Sequence, residues 1–496
     1  MIRTPTRTKL GSGALVWAGF DGQHAPGELI DAIRDGRVGG VILFAARGNT
    51  RSKAQVRAML REIQKAAREG GLPPVPASVD QEGGQVVRVA YRAVFPSAMA
   101  IGATGDPLFA ERAGRAVAEG LRADGITVNH APVCDVNVEP RNPVIGTRSF
   151  GDDPQRVAEF AAAWVRGSEG AGVATSPKHF PGHGETPVDS HLNFVDVTAD
   201  RETIEKRDLV PFRAAFAAGA SMVMTAHVRY HAYDKNAPAT LSHPLLTGLL
   251  REELGFEGLC ITDSLDMSGI NVDSPDRIIG RAIDAGVDAV MVTSHLDRQL
   301  AASGWISSSA SPQRLAQALE RATTFRMRFG IDVPEDGIDD GPARALAAEI
   351  ATRSITHVGP PLPRLDGNVR VVAFEPSRVS PAEELSDPVG TLERALRKRF
   401  GDRMTFGRRG QLPDGSGPTI VFTFNASFDA EQGRALPMLL GEKGVLVALR
   451  SPYDASLARG HAALLSYCDV PVSLDAVAAV LAGERPATGQ LPVRIP

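Results

Sequence analysis

The stretch GVILFAARGNTRSKAQVRAMLREIQKAAREGGLPPVPASVD, Gly40–Asp80, holds the repeating unit from which the fold is read. Two short apolar, β-branched runs, Gly40 to Phe44 and Val75 to Asp80, flank an amphipathic segment from Ser52 to Arg68. There Ser52 suits the cap of a helix, and Val56, Met59, Leu60 and Ile63 recur at i, i+3, i+4 and i+7 on one face. Working outward, further strand candidates are Ala14 to Trp17, Ile126 to Pro132, Val173 to Lys178, Ser221 to His227, Leu259 to Asp263 and Ala289 to Thr293. Helical patterns lie between them, including one that begins at Asp153 with Pro154 in its first turn and carries Val157, Phe160, Ala161 and Trp164. Eight strands alternating with helices over about 330 residues predict an α/β fold of the (β/α)8 TIM-barrel type rather than an open doubly wound sheet.

The chain continues well past the barrel. With 496 residues it is too long for one core, and the acidic, Pro- and Gly-rich VPEDGIDDGP from Val333 to Pro342 marks a boundary. A helix from Ala343 to Ser354 follows, then strand-like runs Val369 to Phe374, Thr419 to Phe424 and Gly444 to Leu449, with a helix from Thr391 to Phe400. The expected organisation is a catalytic barrel over 1–335, a linker and connecting helix over 336–366, and a smaller α/β sandwich domain over 367–496. No GxGxxG, P-loop or GxSxG spacing occurs in the second unit.

Composition excludes several function classes. Lys and Arg number 54 against 58 Asp and Glu, a formal charge of -4, which lacks the basic balance of a nucleic-acid binder. No run approaches about 18 apolar residues, so no membrane span is expected. The N-terminal segment is basic, but its apolar run is short and broken by glycine, and it has no convincing cleavage site. Cys134, Cys260 and Cys468 are too scattered for a disulfide framework or a Cys-based zinc site. A cytoplasmic protein is the expectation; oligomeric state is not readable.

In a barrel of this type the C-terminal ends of the strands line the active site. The third strand ends in Asp80 and leads to Arg88; the fourth runs into a segment with Asp135, Arg141 and Arg148. The fifth ends in Lys178 and His179 and opens the loop FPGHGETPVDSH, with His183, Glu185, Asp189 and His191; the sixth ends in His227 and the seventh in Asp263. A carboxylate after a strand also caps the next helix, and Asp266 is a rival to Asp263. His179 with His183, and His227 with His231, stand at i, i+4. Pro181 and Gly182 break any helix through the first pair, and no HExxH motif appears, so no metal is expected. Asp189, two residues before His191, suits a carboxylate that orients an imidazole for acid–base work.

The strings VDQEGGQVVR (Val79 to Arg88), NPVIGTRSFG (Asn142 to Gly151), KHFPGHGETPVDSH (Lys178 to His191) and GFEGLCITDSLDM (Gly255 to Met267) resemble glycoside hydrolase family 3, and more narrowly its bacterial β-N-acetylglucosaminidase branch. The end of the chain, Ala476 to Val493, is similar to the close of that family's second, sandwich domain. The resemblance implies Asp263 as nucleophile, His191 as acid/base and Asp189 as its partner, with Asp80, Arg88, Arg148, Lys178 and His179 binding the sugar and His227 nearby. It implies a retaining exo-β-N-acetylglucosaminidase that releases terminal β-linked GlcNAc from peptidoglycan fragments or chitooligosaccharides, with no cofactor. Histidine in place of a second carboxylate is reasonable because neutral imidazole does not repel the nucleophile's charge, while Asp189 can stabilise the imidazolium. The alternatives are a phosphorylase on the same scaffold, a β-glucosidase, and a non-catalytic carbohydrate-binding protein. The chain departs from the branch in LNFVDV after DSH and in Glu185 after GHG, where Asp is frequent. The loop's glycines and proline predict that it moves to deliver His191.

Overall fold

A computed structural model describes residues 10–187, 195–376, 379–383 and 387–496. Asp189 and His191 therefore lie outside the described residues. Eight parallel strands form the first sheet: β1 (Val16–Ala18), β2 (Gly40–Ile42), β3 (Ala77–Val79), β4 (Val128–Asn129), β5 (Ala174–Thr175), β6 (Met222–Thr225), β7 (Leu259–Ser264) and β8 (Ala289–Val292). They pair in the order β5-β4-β3-β2-β1-β8-β7-β6, so β1 closes on β8 and chain order runs around the barrel. The remaining seam, between β5 and β6, is spanned beyond the end of β5. Met224 N–H donates to Pro177 O at 3.0 Å, and Phe180 N–H donates to Met224 O at 2.8 Å.

Nearly every strand residue is buried, as in a sheet covered on its outer face by helices and filled inside by side chains. Helix Lys53–Glu69 starts as expected, with Ser52 Oγ accepting from Gln55 N, and buries Val56, Met59, Leu60 and Ile63. Helix Pro154–Gly170 is capped by Asp153 and buries Val157, Phe160, Ala161 and Trp164. Apart from β7, which gains Ser264, the strands are shorter than the apolar runs that foretold them. The first also shifts: Ser12–Leu15 is a 3-10 turn, and β1 starts at Val16.

The second sheet has six strands, β9 (Thr356–Val358), β10 (Val369–Ala373), β11 (Met404–Arg408), β12 (Thr419–Thr423), β13 (Val445–Ala448) and β14 (Ala462–Leu465), ordered β9-β14-β13-β12-β10-β11. All neighbours are parallel except β9 with β14. Thus Thr356–Val358, inside the expected connection, supplies an edge strand to the sheet. Among the described residues no helix is long and apolar enough to cross a membrane.

The two units share packing and hydrogen bonds. Met99, Ala100 and Ala103 of the short barrel helix Ala98–Ala103 belong to the core of the second unit. Ser97 Oγ donates to Tyr467 O at 2.9 Å, Asn137 Nδ2 to Tyr453 Oη at 2.8 Å, and Gln490 N–H to Ala103 O at 2.8 Å. Met99 is wholly buried, so Met99→Ala should lower the unfolding free energy by about 2–5 kcal/mol. A urea unfolding midpoint like that of the parent would show that this seam does not hold the units together.

Candidate active site

The first cavity, of about 370 Å³, opens at the C-terminal ends of the barrel strands. Asp80 follows β3, Lys178 and His179 follow β5, and Asp263 is the penultimate residue of β7; with Arg88 and Arg148 they line this one cavity. Ile42, Met224 and Met291 form an apolar part of its wall. Pro381 and Ala382 of the second unit reach the rim, where Arg88 donates from both Nη1 and Nη2 to Ala382 O, each at 3.1 Å. The second unit therefore helps to shape the cavity.

A buried ionic cluster organises one wall. Lys178 Nζ stands 2.7 Å from Asp80 Oδ1 and 2.6 Å from Glu82 Oε1. Arg148 clamps Glu82 with two parallel bonds, Nε to Oε2 and Nη2 to Oε1, both 2.8 Å, and its Nη1 donates to Val144 O. Such bidentate pairing fixes orientation as well as charge. Burial pushes the Glu82 carboxyl up, but Arg148 and Lys178 outweigh it and hold the group at about 2, below its ordinary 4.5. For Asp80, too, burial raises the carboxyl, and Lys178 and Arg88 more than reverse it, leaving it well below the usual range. Deeper, His130 is fully buried; burial drives it down to about 4 against the pull of Asp80, so its ring is neutral at ordinary pH.

His179 is oriented from behind. Its Nδ1 donates to Asp135 Oδ2 at 2.7 Å, while Asp135 Oδ1 accepts from His179 N–H at 3.1 Å and His183 N–H at 2.7 Å. This wholly buried carboxylate ties the start of the long loop to the fourth strand's segment. The peptide bonds Lys178–His179 and Phe180–Pro181 are cis. In the described part of the loop its glycines serve close packing. A Cβ on Gly184 would lie 1.7 Å from Val136 O, and one on Gly182, at φ +134°, would lie 2.8 Å from Asp208 Cβ. Arg207 pairs with Glu185 and, at 2.8 Å, with Asp208, whose buried carboxyl is pushed up to about 6.

Asp263 and Asp266 both line the cavity and differ in their partners. Asp266 Oδ2 accepts from Thr293 N–H at 2.8 Å and Ser294 N–H at 2.7 Å, bracing the loop after β8. Asp263 sits at the strand end, with Ser264 N–H donating to its Oδ1 at 2.7 Å. His227 does not line the cavity. Its Nδ1 engages Thr240 Oγ1 and its Nε2 engages Ser264 O. Of the i, i+4 histidines, His179 and His183 meet edge to face with ring centroids 5.9 Å apart and His183 Nδ1 on Thr186 Oγ1, while His231 meets Asp196.

Glu82 and Asp135, which hold Arg148, Lys178 and His179 in place, were left unassigned by the sequence reading. Glu82 had a signal, since it stands two residues from Asp80 in the short ribbon Gln81–Gly83, where alternate residues share a face. Replacing it with Gln leaves Arg148 and Lys178 buried with less counter-charge, and should cost about 3–5 kcal/mol at neutral pH. The Glu82 carboxyl binds its proton more readily unfolded than folded. Its contribution is therefore full above pH 4.5 and lost as pH falls towards 2. Urea unfolding at a series of pH values should show Glu82→Gln destabilised at pH 7 and less sensitive than the parent between pH 4.5 and 2.

Comparison with known proteins gives a consistent picture. Residues 7–324 match the glycosyl hydrolase family 3 N terminal domain. The chain is 30% identical to beta-hexosaminidase A of Pseudoalteromonas piscicida, covering 95% of this chain and 91% of that protein. It is 29% identical to a beta-N-acetylglucosaminidase/beta-glucosidase of Cellulomonas fimi, over 92% and 88%. A solved glycoside hydrolase family 3 beta-N-acetylglucosaminidase from Paenibacillus sp. superposes with a TM-score of 0.91 at 32% identity, over 98% of both chains.

Proposed function

Because the chain belongs to glycosyl hydrolase family 3, we propose that its cavity is the active site of a retaining exo-β-N-acetylglucosaminidase, with Asp263 as nucleophile. The observation that carries this reading is the placement of Asp263, at the end of β7, in one cavity with Asp80, Arg88, Arg148, Lys178 and His179; Asp266 also lines it, but its Oδ2 accepts from two backbone amides of the loop after β8. A retaining glycosidase needs a carboxylate to capture the anomeric carbon and a separate proton donor for the leaving oxygen. His191, oriented by Asp189, donates that proton as Asp263 attacks from the opposite face, giving a covalent glycosyl-enzyme. The neutral His191 then takes a proton from water, whose oxygen displaces Asp263 and releases the sugar with its β configuration retained.

The polar wall suits hydroxyl recognition. Asp80 offers acceptor oxygens and Lys178 and Arg88 donor hydrogens, and the ionic cluster keeps them fixed before the sugar arrives. Methionines and Ile42 offer the apolar surface that sugar C–H faces require. A cavity of about 370 Å³ accommodates a terminal sugar residue, in keeping with exo action. The favoured substrates are peptidoglycan fragments or chitooligosaccharides with terminal β-linked GlcNAc. A cytoplasmic location belongs to this reading and is supported by three buried free cysteines.

The test is turnover of an aryl N-acetyl-β-glucosaminide beside the matching β-glucoside, in buffer free of phosphate. Strong preference for the N-acetyl sugar is expected, and Asp263→Asn should abolish turnover while keeping the parent's unfolding midpoint. Activity that appears only with phosphate, with release of a sugar 1-phosphate, would replace hydrolysis by phosphorolysis; near-normal activity of Asp263→Asn would overturn the nucleophile assignment.

A further inference from the structure

His227 was expected beside the sugar, yet it does not line the cavity that holds Asp263 and is only 2% exposed. Its hydrogen bonds have a determinable direction. Nε2 lies 2.9 Å from the Ser264 carbonyl oxygen, which can only accept, so Nε2 carries a proton. In the neutral ring Nδ1 then accepts from Thr240 Oγ1, 2.7 Å away. With its one proton committed, Thr240 accepts in turn from Thr225 Oγ1 at 2.8 Å. The Ala226 carbonyl, 3.1 Å from Thr240 Oγ1, receives that proton only if Nδ1 is itself protonated. The chain of donors thus runs from Thr225 through Thr240 and His227 to the carbonyl of Ser264.

Ser264 is the residue after Asp263 and is gripped at three points. Its N–H donates to Asp263 Oδ1 at 2.7 Å, its Oγ meets Thr293 Oγ1 at 2.7 Å, and its carbonyl takes the His227 proton. Register between β7 and β8 also shifts at this point, so the ladder alone does not hold the Ser264 carbonyl.

We propose that His227 is a positioning residue for Asp263: its Nε2–H fixes the Ser264 carbonyl, and Ser264 through its amide fixes the carboxyl that attacks the sugar. This rests on the assignment of Asp263 as nucleophile. Thr240 sets the tautomer that makes the grip possible, and Thr225 orients Thr240. The ring does not line the cavity that holds Asp263, so it acts on the attack through Ser264.

Gln and Asn substitutions separate the two ring nitrogens. A Gln amide reaches the position of Nε2 and can still donate to Ser264, whereas an Asn amide reaches only that of Nδ1. Each variant is assayed on two aryl N-acetyl-β-glucosaminides, one with phenol and one with dinitrophenol as leaving group. Dinitrophenol departs without protonation and kcat/KM covers only the steps up to its departure, so loss of kcat/KM on both substrates reports the nucleophile and loss on phenol alone reports the proton donor. His227→Asn should lower kcat on both by about 10²-fold, the scale of a misplaced reacting group, with KM little changed, and His227→Gln should recover most of it. Thr240→Val, which removes the proton that sets the tautomer, should reproduce the pattern more mildly and carries the test if His227→Asn does not fold. A loss confined to the phenyl glycoside, a rise in KM at unchanged kcat, or a His227→Asn enzyme equal to the parent would each overturn the positioning role. Failure of the parent to turn over either glycoside would instead overturn the functional reading, and this one with it.

Discussion

Two carboxylates and two cations buried against one another, Asp80 and Glu82 with Lys178 and Arg148, are the constraint on which the barrel mouth depends. Taking any one of these charges out of water alone is costly, and the cost is offset only when all are present in good geometry. The cluster gathers side chains from the third, fourth and fifth strand-to-helix connections, so its electrostatics fix how those connections approach one another. Asp135 does the same with backbone amides and the His179 ring, joining the fourth and fifth. The cavity-lining groups are consequently fixed by one another, and their order comes from charge balance as much as from apolar packing.

The second unit enters through the same logic. Arg88 spends two donors on the Ala382 carbonyl, and Gln85, three residues earlier, approaches Asp469 at 3.5 Å. Asp469 in turn is held by Arg450. A polar path therefore runs from the cavity rim into the second sheet, and the apolar residues of helix Ala98–Ala103 secure it from below.

Much of this was legible because barrels put chemistry at strand ends. Asp80, Lys178, His179 and Asp263 were found by asking what each apolar run ends in, and the cavity gathers all four. What stayed hidden depends on burial or direction, which a sequence does not carry. Glu82 looks like one more polar residue in QEGGQ until its Arg148 clamp is seen, and His227 looks like a sugar ligand until its ring is found facing a backbone carbonyl. Gly182 and Gly184 read as hinge residues, yet they are glycines because other atoms occupy the space of a Cβ. In the second sheet β14, Ala462–Leu465, is made of Ala and Leu, whose preference is helical, and only its burial between β13 and β9 makes it a strand.

The seam of the barrel has a consequence for how the protein could have arisen. Residues 177–180 stitch β5 to β6, and the same four residues include the Lys178 and His179 side chains that line the cavity. Architecture and recognition are thus encoded in a single tetrapeptide. A half-barrel ancestor ending at β5 would have had neither a closed wall nor the lysine that neutralises Asp80 and Glu82. Any rearrangement that opens the chain at this point, such as a circular permutation, would sacrifice topology and ligand binding together, whereas a break elsewhere around the ring spares this doubly used segment.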